Sequence, residues 1–329
     1  MKNTAPRHYA IAVAIAAIAS LGCLLLSPGA ASGDGAPVPI GSSQGSVELP
    51  DGSRIFAIEA GHGTAILRIT AGGSVAARSE RSKRLVLPGV SLQGPPGGAS
   101  ADGSTVVLTV AGALPYLVAR SEVVVFDADS LRVRSRVELE GGWGFDAISP
   151  DGGTLFLVEY LNRSDPTEYR VRAYDLATDR FDPEPIVDSS TVDLTMRGAP
   201  QDRVTSPDGR WEYTAYDGAG GTPFLHALDL EAQRAYCVGL EAVPSRQGTG
   251  MSLEIDQAGE AITVSTWKFG ETARVATDGF EVTDLRSEEG SAPTADSGVS
   301  PLAVVLVALA VVALLGAARI GFRRLVPAG

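Results

Sequence analysis

The stretch Ser149-Pro150-Asp151-Gly152-Gly153-Thr154-Leu155-Phe156-Leu157-Val158-Glu159-Tyr160 decides the fold. A Pro-Asp-Gly turn runs directly into an apolar, β-favouring segment. Pro sets φ for the first central turn position, Asp bonds its own backbone, and Gly accepts positive φ. The segment that follows is apolar at consecutive positions, the pattern of a strand with both faces buried.

The same unit recurs along the chain. Leu49-Pro50-Asp51-Gly52 precedes Ile55 to Ile58, and Ser100-Ala101-Asp102-Gly103 precedes Val106 to Val110. Ser206-Pro207-Asp208-Gly209 precedes Trp211 to Tyr216, and a worn copy, Asp256-Gln257-Ala258-Gly259, precedes Ala261 to Val264. The turn glycines 52, 103, 152, 209 and 259 lie 51, 49, 57 and 50 residues apart. A second echo follows downstream: Val123 to Asp127, Val171 to Asp175 and Leu225 to Asp229 are strands ending in Asp and a short polar turn. Further strands are expected at Val133 to Leu139 and Ala235 to Leu240. Short strands are also expected before the turns, at Ser46 to Leu49, Gly144 to Ile148, Arg203 to Thr205 and Ser252 to Ile255. Each unit thus holds four strands of about five residues and no helical pattern, the make-up of a propeller blade. The expected fold is all-β: a five-bladed β-propeller over residues 46–286, built around a central channel.

The two ends read differently. Lys2 and Arg7 precede an uncharged run from Tyr9 to Leu26, followed by Gly29, Ala30, Ala31 and Ser32. That order predicts a secretory signal over 1–32, with an uncleaved anchor as the alternative because the apolar run is long. Cys23 after Ser20-Leu21-Gly22 is a loose lipoprotein pattern. Residues 33–45 form a Gly/Pro/Ser/Ala linker, and 287–298 a flexible tether. Val299 to Ala318 carries no charge. At ~1.5 Å rise per residue such a run spans the ~30 Å hydrocarbon core of a bilayer. Arg319, Arg323 and Arg324 follow within the short tail 319–329, which the positive-inside rule places in the cytoplasm. The expectation is a single-pass protein of the cell membrane with its propeller outside.

Removing Lys2, Arg7 and the three tail arginines leaves 22 basic against 39 acidic residues in 33–298, a net charge of −17. Such a surface repels nucleic acid. Outside the signal Cys237 is the only cysteine, so a processed chain forms no internal disulfide. A domain of this size buries enough core without one.

The Ser-Pro-Asp-Gly-x-x-apolar pattern with a later Tyr174-Asp175-Leu176-x-Thr178 resembles the WD-like and YVTN-type repeats of bacterial β-propellers. Trp143 to Asp229 also resembles a group of secreted or membrane-anchored actinobacterial propeller proteins. The resemblance is carried by Gly144 to Gly152, Tyr169 to Leu176, Met196-Arg197-Gly198 and Ser206 to Trp211. It implies fold and location and no established activity.

In such a propeller the loops entering each first strand and the loops between second and third strands share one face. That face is expected to gather Trp143, Trp267, Arg197, Arg203 and Arg246 as a ligand-binding set. Arg supplies forked donors and Trp rigid apolar area, suited to an anionic or sugar-like ligand or an acidic segment of an envelope protein. Binding or scaffolding at the envelope is the first functional reading. A glycan-acting hydrolase or lyase is the second, with Asp146, Glu48 and Glu254 as the carboxylates on innermost strands. Outside the signal only His62 and His226 remain, and no Gly-x-Ser-x-Gly or His-Glu-x-x-His pattern occurs. No metal or cofactor is expected: Asp127-x-Asp129-Ser130 lacks the length of a calcium loop, and its Asp127 recurs as Asp175 and Asp229, which suits a turn role.

Overall fold

The computed structural model describes residues 45–111, 114–166, 168–188, 196–244 and 250–286. The expected signal, most of the linker, the tether, the membrane helix, the basic tail and Arg246 lie outside the described residues. The chain divides into a unit ending at Arg286 and a second, Ser287–Gly329. Among the described residues no helix is long and apolar enough to cross a membrane.

The first unit is all-β, built from five antiparallel sheets, each a meander of consecutive strands. Blade 1 holds β1 (Val47–Glu48), β2 (Arg54–Ala60), β3 (Gly63–Ile69) and β4 (Val75–Arg81). Blade 2 holds β5 (Leu85–Val86), β6 (Thr105–Val110), β7 (Arg120–Asp127) and β8 (Val133–Glu140). Blade 3 holds β9 (Trp143–Ile148), β10 (Thr154–Tyr160), β11 (Glu168–Asp175) and β12 (Arg180–Phe181), and β13 (Met196–Arg197) also pairs with β11. Blade 4 holds β14 (Pro200–Thr205), β15 (Trp211–Tyr216), β16 (Phe224–Asp229) and β17 (Arg234–Gly239). Blade 5 holds β18 (Met251–Ile255), β19 (Ala261–Thr266), β20 (Gly270–Ala276) and β21 (Val282–Asp284). This is the strand plan of a five-bladed β-propeller.

The repeated turns perform the chemistry read from their sequence. In the third, Gly152 N–H donates to Ser149 O at 2.9 Å, and the Asp151 carboxylate accepts from Gly153 N–H at 2.9 Å and the Ser149 hydroxyl at 2.6 Å. Hydrogen bonds from serine hold the carboxyls of Asp51, Asp151 and Asp208 below the usual carboxylate range, Asp51 down to about 2. Asp127, Asp175 and Asp229 accept backbone N–H groups from the turns that follow them, the expected turn role.

Between blades the apolar residues meet in four shared clusters. Ile55, Ile66, Val106 and Phe126 join blades 1 and 2; Val107, Val123, Leu155 and Leu157 join blades 2 and 3. Phe156, Val171, Tyr216 and Leu228 join blades 3 and 4; Tyr213, Leu225, Met251 and Ile262 join blades 4 and 5. None of these clusters joins blade 5 to blade 1. The remaining face of blade 1 leaves Ile58 45% exposed, with Glu48 and Arg54 also exposed, and blade 5 exposes Ser252 and Glu254.

One departure from the sequence reading lies in blade 2. Its innermost strand is β5, which ends well before the Asp102-Gly103 turn; the chain then loops out of the sheet from Pro88 and rejoins β6 at Gly98 to Ser100. Pro88, Pro95 and Pro96 lack the donor a ladder needs, and four glycines among residues 89–98 add freedom to bend. This strap lies along the inner strands of other blades. Leu92 and Gln93 N–H donate to Pro200 O and Gln201 O, both at 3.0 Å, and Gln93 Nε2 donates to Met251 O at 3.3 Å. The strap therefore occupies ground that the sequence reading left as open channel.

The turns also pack on one another, and this sets a test. Gly152 has φ +72°, and a Cβ there would lie 2.3 Å from Thr105 Oγ1 of blade 2; Gly73 has φ +83° and open space. Gly73→Ala is expected to cost about 1 kcal/mol for left-handed backbone. Gly152→Ala adds an overpacking cost of about 1–3 kcal/mol. Urea denaturation of the two variants should separate them by that difference.

Candidate functional site

Two clusters of chemistry-bearing side chains stand out, one open and one buried. The open one is a cleft of about 300 Å³ at the rim of blade 2, on the face that carries the loops between second and third strands. It exists because β6 stops at Val110 while β7 and β8 continue. Register fixes what each side presents. Thr109 and Val123 are directly paired, and Ser121 lies two residues before Val123, so all three face blade 3. Glu122 pairs with Glu138 and faces the other way. The cleft thus bridges both faces of blade 2, and Trp143, Phe145 and Tyr160 of blade 3 complete its wall.

Its residues are held firmly. The Trp143 ring stacks on Phe181 with centroids 4.6 Å apart, and its Nε1 donates to Glu140 O at 2.9 Å. Ser121 Oγ donates to Gly141 O at 3.0 Å and accepts from Trp143 N–H at 2.9 Å. Lys83 and Arg136 both pair with Glu122, Arg136 at 3.1 Å, and Arg120 lies 3.7 Å from Glu138 and 3.4 Å from Glu140. Thr109 is only 5% exposed, and its hydroxyl has no hydrogen-bond partner among the described residues. Burial raises the Tyr160 phenol well above its ordinary range, so it stays protonated.

The buried cluster lies where blades 3 and 4 meet under the strap. A bulge between Phe156 and Leu157 of β10 leaves Asp146 as the extra residue of β9, and a bulge turns a side chain out of the regular alternation. Asp146 forms a buried ion pair with Arg203, the side chains being 3% and 6% exposed. Arg203 also donates from Nε to Thr214 Oγ1 at 2.7 Å and from a terminal nitrogen to Asp146 O. Burial opposes the guanidinium's charge, but the Asp146 carboxylate outweighs it and keeps Arg203 ionised. Glu212, Thr205 and the strap residues Val90, Pro95 and Pro96 line a cleft of about 70 Å³ beside this pair. Burial pushes the Glu212 carboxyl up to about 7, against the pull of Arg203 and a hydrogen bond from Thr205. Burial pushes His226 down to about 4, so it is neutral.

The structure distributes the sequence-predicted residues over separate places. Trp143 lines the rim cleft. Arg197 lies at the surface, 3.2 Å from Glu168. Arg203 is committed to Asp146 inside the blade 3–4 junction. Trp267 stands 78% exposed in the β19–β20 turn. Of the three candidate catalytic acids, Asp146 is spent on Arg203, Glu48 pairs with Arg54 at 2.7 Å on blade 1, and Glu254 is exposed on blade 5. No contact brings these three carboxylates together. Thr109 went unrecognised in the sequence because it reads as an ordinary strand residue. The one available signal was the early end of the second repeat's apolar run at Val110.

No protein-family model matches the sequence, and no curated protein matches it. Solved structures are similar at low identity. Hydrazine synthase of Kuenenia stuttgartiensis is 17% identical over 79% of this chain and 69% of its own, with a TM-score of 0.44. TolB from Acinetobacter baumannii is 15% identical over 74% of this chain and 54% of its own, with a TM-score of 0.44. The Cps50 β-propeller domain of Myceliophteria thermophila is 10% identical over 76% of this chain and 72% of its own, with a TM-score of 0.45. These likenesses concern strand arrangement alone and carry neither ligand nor chemistry.

The buried junction generates a pH test. Between about 4.5 and 7 folded Glu212 holds a proton that the unfolded chain releases, so stability falls as pH rises across that window. Between about 4 and 6.5 folded His226 lacks a proton that the unfolded chain binds, so stability rises with pH there. The two slopes oppose each other up to pH 6.5. In Glu212→Gln, urea midpoints should climb from pH 5 to 6.5 and then level. In His226→Gln they should fall from pH 5 to 7.

Proposed function

We propose that this chain is a binding module of the cell envelope: a β-propeller that holds its ligand in the rim cleft between blades 2 and 3 and is tied to the membrane by residues 299–318. The rim cleft carries the reading. It combines a fixed indole, two further aromatic rings and an unpartnered buried hydroxyl in one concave space, the usual make-up of a small-ligand site. The acids of the cleft, Glu122 and Glu138, are tied to cations, an arrangement that suits holding a ligand better than transferring a proton to it. The loop face where the ligand would enter carries most of the predicted binding residues, and Trp143 is the one that also lines the cleft.

Location rests on the sequence. The uncharged run ending at Ala318, with arginines directly after it, supports a single span with the propeller outside and the tail inside. Protease added to intact cells should remove the propeller while a C-terminal tag stays protected. Digestion of the tag as well would reverse the topology.

Binding is tested with the full-length protein in membrane nanodiscs against fractionated envelope material. Trp143→Ala should weaken retention of whatever ligand is found by tenfold or more, the scale of an aromatic anchor in a binding site. Arg197→Ala, whose partner Glu168 lies outside the cleft, should leave retention unchanged. The opposite ranking would move the site off the cleft and onto the surface arginine.

A further inference from the structure

We infer that the rim cleft takes an uncharged sugar unit, seated with its ring face against the apolar wall and one hydroxyl on Thr109. This rests on the cleft being the ligand site and names the chemical class that fits it.

Charge comes first. The charged side chains of the cleft are two cations, Lys83 and Arg120, and two anions, Glu122 and Glu138. Lys83 is paired with Glu122, and Arg120 with Glu138. An anionic or cationic ligand would have to break one of these pairs or leave its own charge unmatched. An uncharged ligand avoids both costs. The protein as a whole is strongly acidic, so the balance inside the cleft is a local property.

The hydroxyl of Thr109 comes second. A buried polar group left without a partner costs about 1–3 kcal/mol. Thr109 is more than nine-tenths buried, lines the cleft and has no such partner. Its oxygen is closed to solvent in the free protein, so a ligand hydroxyl meets it after a small rotation of the Thr109 side chain toward the cleft, and a hydroxyl both donates and accepts. Most of the remaining wall is apolar, with Pro88, Val110, Pro115, Val118, Trp143 and Phe145; its other hydroxyls are those of Ser121, already bonded to Gly141 O and Trp143 N–H, and Tyr160. A sugar ring joins an apolar C–H face to a rim of hydroxyls, and this wall asks for that combination. The volume of about 300 Å³ lies at the small end for ligand clefts, enough for one or two rings. An extended peptide would bring a row of backbone donors and acceptors that the apolar wall leaves unmet.

Preorganisation comes third. Trp143 is locked by its stacking on Phe181 and its bond to Glu140 O. A ring already held in place loses little freedom when a ligand covers it.

The test uses full-length protein in nanodiscs, a panel of neutral disaccharides, a uronic-acid disaccharide and a proline-rich peptide, read by saturation-transfer NMR and titration calorimetry. At least one neutral sugar should bind, Thr109→Ser should bind it comparably, and Thr109→Val should weaken it about tenfold, the scale of one hydrogen bond to a hydroxyl that is otherwise unmet. Thr109→Val should melt at or above the native temperature, because it removes a hydroxyl that lacks a partner in the free protein. A fall in melting temperature would assign the hydroxyl a structural role and overturn the inference. Tighter binding of the uronic-acid sugar or the peptide, lost in Trp143→Ala, would keep the cleft as the ligand site and sink the sugar assignment. Sugar binding unaffected by Thr109→Val and Trp143→Ala would place the sugar elsewhere and sink both.

Discussion

A β-sheet of the kind this sequence encodes has two apolar faces, and neither can stay in water. Phe156 and Val158 point to one side of β10 while Leu155 and Leu157 point to the other, and each set reaches a different neighbouring blade. At about 25 cal/mol per Å² of apolar area, this double burial is the largest favourable term available to the fold. It also explains the repeat. A single four-stranded meander of this composition would expose half of its core, and blades 2, 3 and 4 bury both faces by lying between two others. The end blades show the consequence: blade 5 exposes Ser252 and Glu254, and blade 1 exposes Ile58 on a strand that starts at the Arg54–Glu48 ion pair.

The middle of the molecule solves a different problem. Inner strands pack their side chains toward one another, and an empty channel there would leave backbone carbonyls such as Pro200 O and Gln201 O to solvent alone. The strap meets them with the N–H groups of Leu92 and Gln93. Its position also accounts for the buried polar cluster. Val90, Pro95 and Pro96 cover Asp146 and Arg203 and partly cover Glu212, which makes pairing obligatory for Arg203 and favours a proton on Glu212. Replacing only Asp146 or only Arg203 would leave an unmatched buried charge, which costs more than losing both.

Much of the fold was legible because it is written in local chemistry. Each Asp-Gly turn carries its own hydrogen bonds, and each consecutive apolar run announces two buried faces. Strand positions such as Gly144 to Ile148 and Ser252 to Ile255 therefore fall within a residue or two of those observed. The site was far less legible. Arg203 looked like a loop-face cation, and only the bulge at Asp146, a register event between two strands, shows that it is a junction residue. Glu48 and Glu254 looked like channel acids because an inner strand normally faces a channel, yet both sit on the outward sides of end blades. The strap was visible as a run of Pro and Gly, but composition says only that such a run leaves the sheet. Where it goes depends on inner strands more than a hundred residues later.

The strap and the cleft adjoin at Pro88. The inner strand of blade 2 is interrupted rather than lost: the chain loops out from Pro88 to reach blades 4 and 5 and rejoins β6 at Gly98 to Ser100, beside the turn. β5 pairs with Thr109 and Val110 at the end of β6, so blade 2 keeps its inner strand at the loop end, where β7 and β8 run on past Val110. Pro88, where the strap departs, and Val110, where β6 stops, both line the cleft. The concavity at the rim lies between blades 2 and 3, while the strap at the centre ties blade 2 to blades 4 and 5.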